Sequence, residues 1–340
     1  MIKTAVVILN WNGIAWLHKF LATVVRFSTG RDTVVYLADN GSTDGSAEWV
    51  SNHFNEVRII KFDSNHGFAG GYNLALKQIT AKYFVLLNSD AEVTEGWLDP
   101  MIKHLDQNPD VASCQPKIRS FHNRDYFEYA GAAGGYIDKF GYTFCRGRIF
   151  EHIEKDSGQY DNCTDIFWSS GACMMVRSEA WIQCGGFDDD FFAHMEEVDL
   201  CWRFHLAGLR VSCVPESIVY HAGGGSLPYD SKLKTYLNFR NNLFLLYKNL
   251  PDNKLHKTIF IRKFLDGVAA IMFILKGRAG NAKAVWKAHM DYYKNIKLLK
   301  VKRETVSNLV KDETINHLVN KSIVFRFYIK GEKTFGSLNI

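Results

Sequence analysis

The chain has 340 residues, 47% hydrophobic and 23% charged, proportions that exclude a disordered or low-complexity protein and fit one large domain or two smaller ones. Its net charge of +5 conceals a split: residues 1–231 carry 19 Lys+Arg against 29 Asp+Glu, and residues 232–340 carry 22 against 7. The basic final third points to an anionic partner, with a membrane surface and nucleic acid as the two candidates.

In chain order, residues 4–9 read as a fully buried strand, ended by Asn10-Trp11-Asn12-Gly13. A helix is expected over 15–25 and a second strand over 33–37, which breaks at Asp39-Asn40-Gly41-Ser42. A short helix through Val50, a strand over 57–62, the turn Asn65-His66-Gly67 and a helix over 69–79 follow. The run Tyr83 to Leu87 is another buried strand, and it ends abruptly in Asn88-Ser89-Asp90. Continuous rather than alternating apolar strands, interleaved with helices, predict an α/β fold with a mostly parallel central sheet flanked by helices. The polar turns after these strands should gather along one sheet edge, where open α/β sheets place their ligands. Asp90 there suits a divalent cation, although a polar turn with Asp90 capping the next helix satisfies the same residues.

A helix over 97–108 and a strand over 111–118 come next, and 120–165 reads as irregular structure with short hairpins. A strand with a Ser-Ser-Gly interruption is expected over 166–176, and the acid-rich segment FDDDFFAHMEEVDL leads into a helix over 197–207. Strands over 209–214 and 219–221 end at His221, before Gly223-Gly224-Gly225. Beyond residue 228 the character changes to basic helices over 232–250, 258–275 and 281–301. In the last, Val285, His289, Tyr292, Ile296 and Leu299 share one stripe. These boundaries predict a catalytic domain over 1–228 and a basic, amphipathic helical extension over 229–340.

The seven cysteines are odd in number and include no C-x-x-C pair, so buried free thiols in a reducing compartment are expected. The run Ala5 to Leu9 is too short for a signal-peptide core, and no stretch reaches the roughly 18–20 apolar residues of a spanning helix. A cytoplasmic protein, at the inner face of the cytoplasmic membrane, is the expectation.

The ordered motifs VVILNWNG (6–13), ADNGSTDGS (38–46), NHGFAGGYN (65–73), LLNSD (86–90), SGACMMVRSEAW (170–181), GGFDDDFF (185–192), EEVDLCWR (196–203) and HAGGGS (221–226) carry a resemblance. The chain resembles the family 2 inverting glycosyltransferases of GT-A fold, and more narrowly their bacterial rhamnosyltransferase-like members. The resemblance implies transfer of a sugar, such as rhamnose from dTDP-rhamnose, from a nucleotide-diphospho-sugar to a glycan or polyprenyl-linked glycan in cell-surface polysaccharide assembly. It implies that Asp39 contacts the base, that Asn12, Asn65, Asn73 and Asn88 line the donor pocket, and that Gly67, Gly70 and Gly71 allow close backbone approach. Asp90 occupies the second acid of the family's D-x-D motif, with Asn88 replacing the first, and His221 is a second contributor to metal or diphosphate. The implied cofactor is Mg2+ or Mn2+. The family's general base is the Asp of a Glu-Asp pair; this chain has Glu196-Glu197, which puts Glu197 at that position and leaves Glu196 a rival. Helical spacing places Glu196 and Asp199 on one face and Glu197 on another. Trp168 and Phe191 fit either an acceptor platform or core packing.

The basic tail fits contact with an anionic membrane or a solvated face on helices packed against the catalytic domain. No nucleic acid is expected, because that reading leaves the acidic strand ends unexplained. A dinucleotide oxidoreductase lacks its G-x-G-x-x-G. A nucleotidyltransferase lacks its basic N-terminal loop, and it stays, with an inactive sugar-nucleotide-binding relative, as the alternative.

Overall fold

The computed structural model describes residues 2–30, 32–223, 231–311 and 317–340. The first half alternates as expected: β1 (Ile2–Asn10), α1 (Ile14–Ser28), β2 (Thr33–Asp39), α2 (Ser46–His53), β3 (Arg58–Lys61), α3 (Gly67–Leu76), β4 (Ala81–Asn88), β5 (Ala91–Val93), α4 (Leu98–Gln107) and β6 (Val111–Ser120). Then come β7 (Gly135–Asp138), β8 (Thr143–Cys145), β9 (Arg148–Ile149), β10 (His152–Ile153), β11 (Thr164–Asp165), β12 (Cys173–Arg177), α5 (Ser178–Gln183), α6 (Glu196–Leu206) and β13 (Arg210–His221). The remainder is α7 (Lys232–Asn249), α8 (Asp252–Leu275), α9 (Ala279–Lys294), α10 (Ile296–Ser307), β14 (Leu318–Val319) and α11 (Ile323–Tyr328).

The central sheet runs β11-β13-β6-β12-β4-β1-β2-β3, with β5 paired to β13. Strands β4, β1, β2 and β3 are mutually parallel. Their continuous apolar runs are buried on both faces, since Val7 and Leu86 join one core cluster while Val6, Val85 and Leu87 join another. Parallel register brings the strand ends level: Asn10 stands opposite Asp39, and Leu9 opposite Asn88. The expected gathering of polar turns on one edge is therefore what forms.

Three expectations change. The strand over 166–176 shortens to β12, because Ile166 and Phe167 donate their amides to Val211 and Gly135 and the Ser170 amide turns to the Gln115 side chain. The two short strands after residue 209 are one, β13, with a register break between Val214 and Ile218 around Pro215, which has no N–H for the ladder. The helix over 281–301 breaks at Asn295, whose amide donates to the Asp291 carbonyl at 2.8 Å.

Residues 120–165 are organised by a second, five-stranded sheet, β10-β9-β8-β7-β14. Its last strand comes from the C-terminal segment, and Asp138 accepts the Ile323 amide at 2.9 Å. The basic final third thus contributes to this sheet as well as forming helices; the boundary expected at 228/229 lies outside the described residues. All seven cysteines are free, and only Cys163 is exposed. Trp168 and Phe191 are core residues.

A buried ion network ties the helices to the catalytic half. Lys248 on α7 reaches Asp188 and, at 3.0 Å, Asp199 on α6. Arg203 and Asn249 also donate to Asp199, while Lys302 on α10 pairs with Asp188 and Asp190. Burial works to raise both Asp188 and Asp199, but the surrounding cations prevail and hold them below the ordinary carboxylate range. Removing one partner of such a group strands a buried charge. Lys248→Met should therefore cost roughly 3 kcal/mol, read as a lower urea midpoint at neutral pH. An unchanged midpoint would show that Arg203 and Lys302 suffice alone.

Candidate active site

The first strand ends form one polar pocket wall. Asn10 on β1 donates its amide to Asp39 at 3.2 Å and to Ser46 at 2.8 Å. Asp39 is buried, and its second carboxylate oxygen accepts the Ser42 amide at 3.4 Å. Asn12, in the left-handed region, accepts the Thr43 amide at 2.7 Å, and its own amide donates to Ser42 Oγ. Asn40 joins the neighbouring turn, donating to Asn65 and to the Gly67 carbonyl at 3.0 Å. Asn65 in turn accepts the Gly67 amide at 2.8 Å.

The glycine-rich start of α3 faces protein. Gly67 has φ +73°, and a Cβ there would lie 2.5 Å from the Phe192 ring. The Phe192 carbonyl accepts the Phe68 amide at 2.7 Å, occupying the helix start. A Cβ on Gly71 would strike Leu9 at 2.8 Å, and Gly70 faces His66 and Asp189. Asn73 donates to Phe187 and Asp189 and accepts the Phe187 amide. In this structure Gly67 and Asn73 hold the acidic segment 187–194 against α3, and Asp189 and Asp190 are engaged in fixing that segment.

The third strand end carries the strongest electrostatics. β5 turns back to pair with β13, placing His221 opposite Ala91, directly after Asp90. His221 Nε2 donates to Asp90 Oδ1 at 3.0 Å, and the Asn88 amide lies 3.2 Å from the same nitrogen. On the other ring edge, the buried Glu128 carboxylate approaches Nδ1 at 3.4 Å, close enough for ion-pair attraction but not aligned as a hydrogen bond. Burial alone would push the imidazole down, but Glu128 and Asp90 overcome it and raise His221 to about 10. The corner thus already stabilises positive charge between Asp90 and Glu128. The donor set fits a divalent ion in place of the Nε2 proton. Among the described residues no group of three or more His, Cys, Asp or Glu could hold a metal ion, so the remaining ligands would be water and phosphate oxygens.

Glu196 and Glu197 open α6 just beyond the clamped segment. Phe192, His194 and Met195 all adopt positive φ on the approach, strain that marks a segment held by its surroundings. Glu196 is buried, and burial with the neighbouring Glu197 raises it well above its ordinary value. Glu197 is only half-buried, and burial raises it to about 7 against hydrogen bonding from the backbone at 195–198. Each keeps a buried Oε2 without a hydrogen-bond partner. Asp199 is taken by Lys248 and Arg203.

Three residues were missed by sequence reasoning. Asn10 and Asn40 sit inside recognised turns but gave no signal separating them from their neighbours. Glu128 lies in a stretch that had no readable pattern.

The central sheet flanked by helices is the GT-A fold shared with solved glycosyltransferase structures. Residues 5–182 match the family model for glycosyl transferase family 2, and the chain belongs to that family. It is similar to N-acetylglucosaminyl-diphospho-decaprenol L-rhamnosyltransferase of Mycobacterium tuberculosis (strain CDC 1551 / Oshkosh), with 29% identity over 60% of this chain and 71% of the relative. It is similar also to rhamnosyltransferase WbbL of Escherichia coli (strain K12), with 27% identity over 46% of this chain and 60% of that one. Both of these relatives are named as rhamnosyltransferases. Among solved structures, GalNAc-T7 with UDP, GalNAc and Mn2+ superposes with TM-score 0.64 at 15% identity, covering 98% of this chain and 57% of that longer one. S. aureus TarS 1-349 with UDP-GlcNAc gives TM-score 0.58 at 14% identity, covering 91% and 84%.

The clamp makes a direct prediction. Gly67→Ala forces a side chain into the Phe192 ring at an unfavourable φ, and should destabilise the fold by about 1–3 kcal/mol. Limited proteolysis should then cut within 187–194 sooner than in the parent. Unaltered cleavage would mean the segment is held by other contacts.

Proposed function

We propose that this enzyme moves a sugar, with inversion, from a nucleotide-diphospho-sugar to a saccharide or lipid-linked acceptor in cell-surface polysaccharide assembly. The observation that carries this reading is the strand-end row from Asp39 through Asn10 and Asn88 to Asp90 and His221. Two strand spacings separate Asp39 from Asn88, about 10 Å, which suits a base at one end and a diphosphate at the other. Asp39 accepts the imide N–H of a pyrimidine, with Asn12 and Asn65 shaping the turns around it. Asp90 and His221, with Asn88 beside them, would hold Mg2+ or Mn2+. Bound there, the ion supplies charge stabilisation to the leaving diphosphate. The relatives named as rhamnosyltransferases support rhamnose, carried as dTDP-rhamnose, as the sugar. The mycobacterial relative's name supports a diphospholipid-linked acceptor.

Glu197 is the general base. It takes the proton of the acceptor hydroxyl as the new oxygen–carbon bond forms at the anomeric centre. The bond from that carbon to the phosphate oxygen breaks, and its electron pair leaves with the nucleoside diphosphate. Glu196 lies deeper, and burial with the neighbouring Glu197 raises its carboxyl well above the ordinary value. The basic final third places the enzyme against an anionic membrane at the cytoplasmic face, where a lipid-linked acceptor is held.

Nucleoside diphosphate release from dTDP-rhamnose should require Mg2+ or Mn2+, stop with EDTA, and fall below detection in Asp90→Ala. Turnover should rise through pH 7 as Glu197 loses its proton, and Glu197→Gln should lower kcat by about 10²–10⁴-fold and remove that rise. The same substitution has a stability signature of opposite sign. A carboxyl raised on folding contributes stability below about pH 4.5, and this is lost as pH rises through 7. Glu197→Gln should therefore raise stability at pH 8 by roughly 1–3 kcal/mol while abolishing turnover. Loss of both activity and stability would make Glu197 structural. Absence of turnover with every nucleotide-sugar would sink the enzyme reading.

A further inference from the structure

The outer face of α8 carries a continuous run of exposed large apolar side chains. Its inner side is anchored by Leu255 and Ile259 and by the buried Arg262–Asp266 pair, which His289 on α9 joins at 3.0 Å. That anchoring turns Phe260, Phe264, Val268, Ile271 and Leu275 outward, at 45% to 75% exposure. Their spacing of four, four, three and four residues is a single helical stripe, about 22 Å long at 1.5 Å per residue. Large apolar side chains are normally scattered on a surface, whereas a continuous stripe marks an interaction face.

The stripe ends in an exposed last turn. The rings of Phe239 on α7 and Phe273 on α8 lie 6.5 Å apart. Its last turn, with Ile274 and Leu275, lies exposed beyond Phe273. Around this tip the charge is basic. An open groove of about 360 Å³ between α7 and α9 is lined by Lys232, Lys283 and Lys287, with Leu233, Tyr236 and Trp286 between them. No salt bridge engages these three lysines among the described residues, and Lys287 lies over the Tyr236 ring at 4.8 Å.

We infer that the α8 stripe and its exposed last turn are a membrane-docking wedge, which enters the interface of an anionic bilayer while the lysine groove binds the headgroups. The occupant follows from complementarity. An exposed apolar stripe, with a lysine groove and an exposed tryptophan on the same helical bundle, matches an acyl boundary beneath anionic headgroups. No described helix is long and apolar enough to cross a membrane, so the wedge lies in the interface. This rests on the membrane-facing acceptor proposed above and deepens it: the wedge fixes which surface meets the lipid.

The test uses the full chain and phosphatidylcholine vesicles with or without phosphatidylglycerol. Sedimentation should show binding to the anionic vesicles at least roughly tenfold tighter than to the neutral ones. Ile271→Glu with Leu275→Glu should lose tenfold or more on anionic vesicles, with an unchanged melting temperature and unchanged turnover on a water-soluble acceptor. Lys283→Gln with Lys287→Gln should weaken binding and flatten its salt dependence. If the glutamate variant binds like the parent while the lysine variant does not, contact is electrostatic only; the wedge is overturned and the membrane reading stands. If the parent binds no vesicle, both fail. If light scattering shows a dimer that the glutamate variant dissolves, the stripe faces a second copy and the wedge is wrong.

Discussion

The Lys248 ammonium is the point on which the two halves of the molecule are fastened. It sits buried between Asp188, at the entrance to the acidic segment, and Asp199, on the helix that opens with Glu196 and Glu197. An ammonium so placed is tolerable only with both carboxylates ionised, and each carboxylate needs a second partner, supplied by Lys302 and Arg203. The consequence is positional. Helix α6 cannot rotate or slide without uncovering a charge, so the two unpaired glutamates at its start are held in place by charges one turn away. The basic tail is thereby part of the catalytic frame.

This frame accounts for the contrast among the four acids of the α6 region. Asp188 and Asp199 are surrounded by cations and held low, whereas Glu196 and Glu197 have no cation in contact and are pushed up by burial. One short stretch of chain therefore carries two carboxylates that fix structure and two whose carboxyls burial raises. Separation of environments, rather than the number of acids, is what would make a base available there.

The fold was largely legible because it rests on local pattern. Continuous apolar strands, each ended by a polar turn, specify a parallel sheet with a functional edge, and Asp39 and Asp90 lie on that edge. What stayed hidden depends on long-range pairing. Glu128 meets His221 only because residues 120–165 fold over the end of β13, and nothing in its local sequence marks it. The glycines of α3 illustrate a second limit. Their pattern signals close approach without naming the approaching group; in the structure Gly67 meets Phe192 and Gly71 meets Leu9. The break at Asn295 turns on one side-chain hydrogen bond, and the merging of two strands into β13 on pairing with β6 on both sides of Pro215, neither of which periodicity registers.

The two kinds of constraint converge at one end of the molecule. β5 and β13 pair across the strand ends, bringing Asp90 to His221, while α7 runs from the neighbourhood of Glu128 down to Lys248. A displacement of α7 along its axis would therefore be felt at both ends, at the histidine's carboxylate partner and at the carboxylates behind Glu197. Asp90 lies more than a hundred residues from Glu197 in sequence and His221 only 24 residues after it, yet folding brings Asp90 to His221. Helix α7 lines the lysine groove and carries Lys248, so whatever the groove binds touches the element that holds the carboxylate behind Glu197.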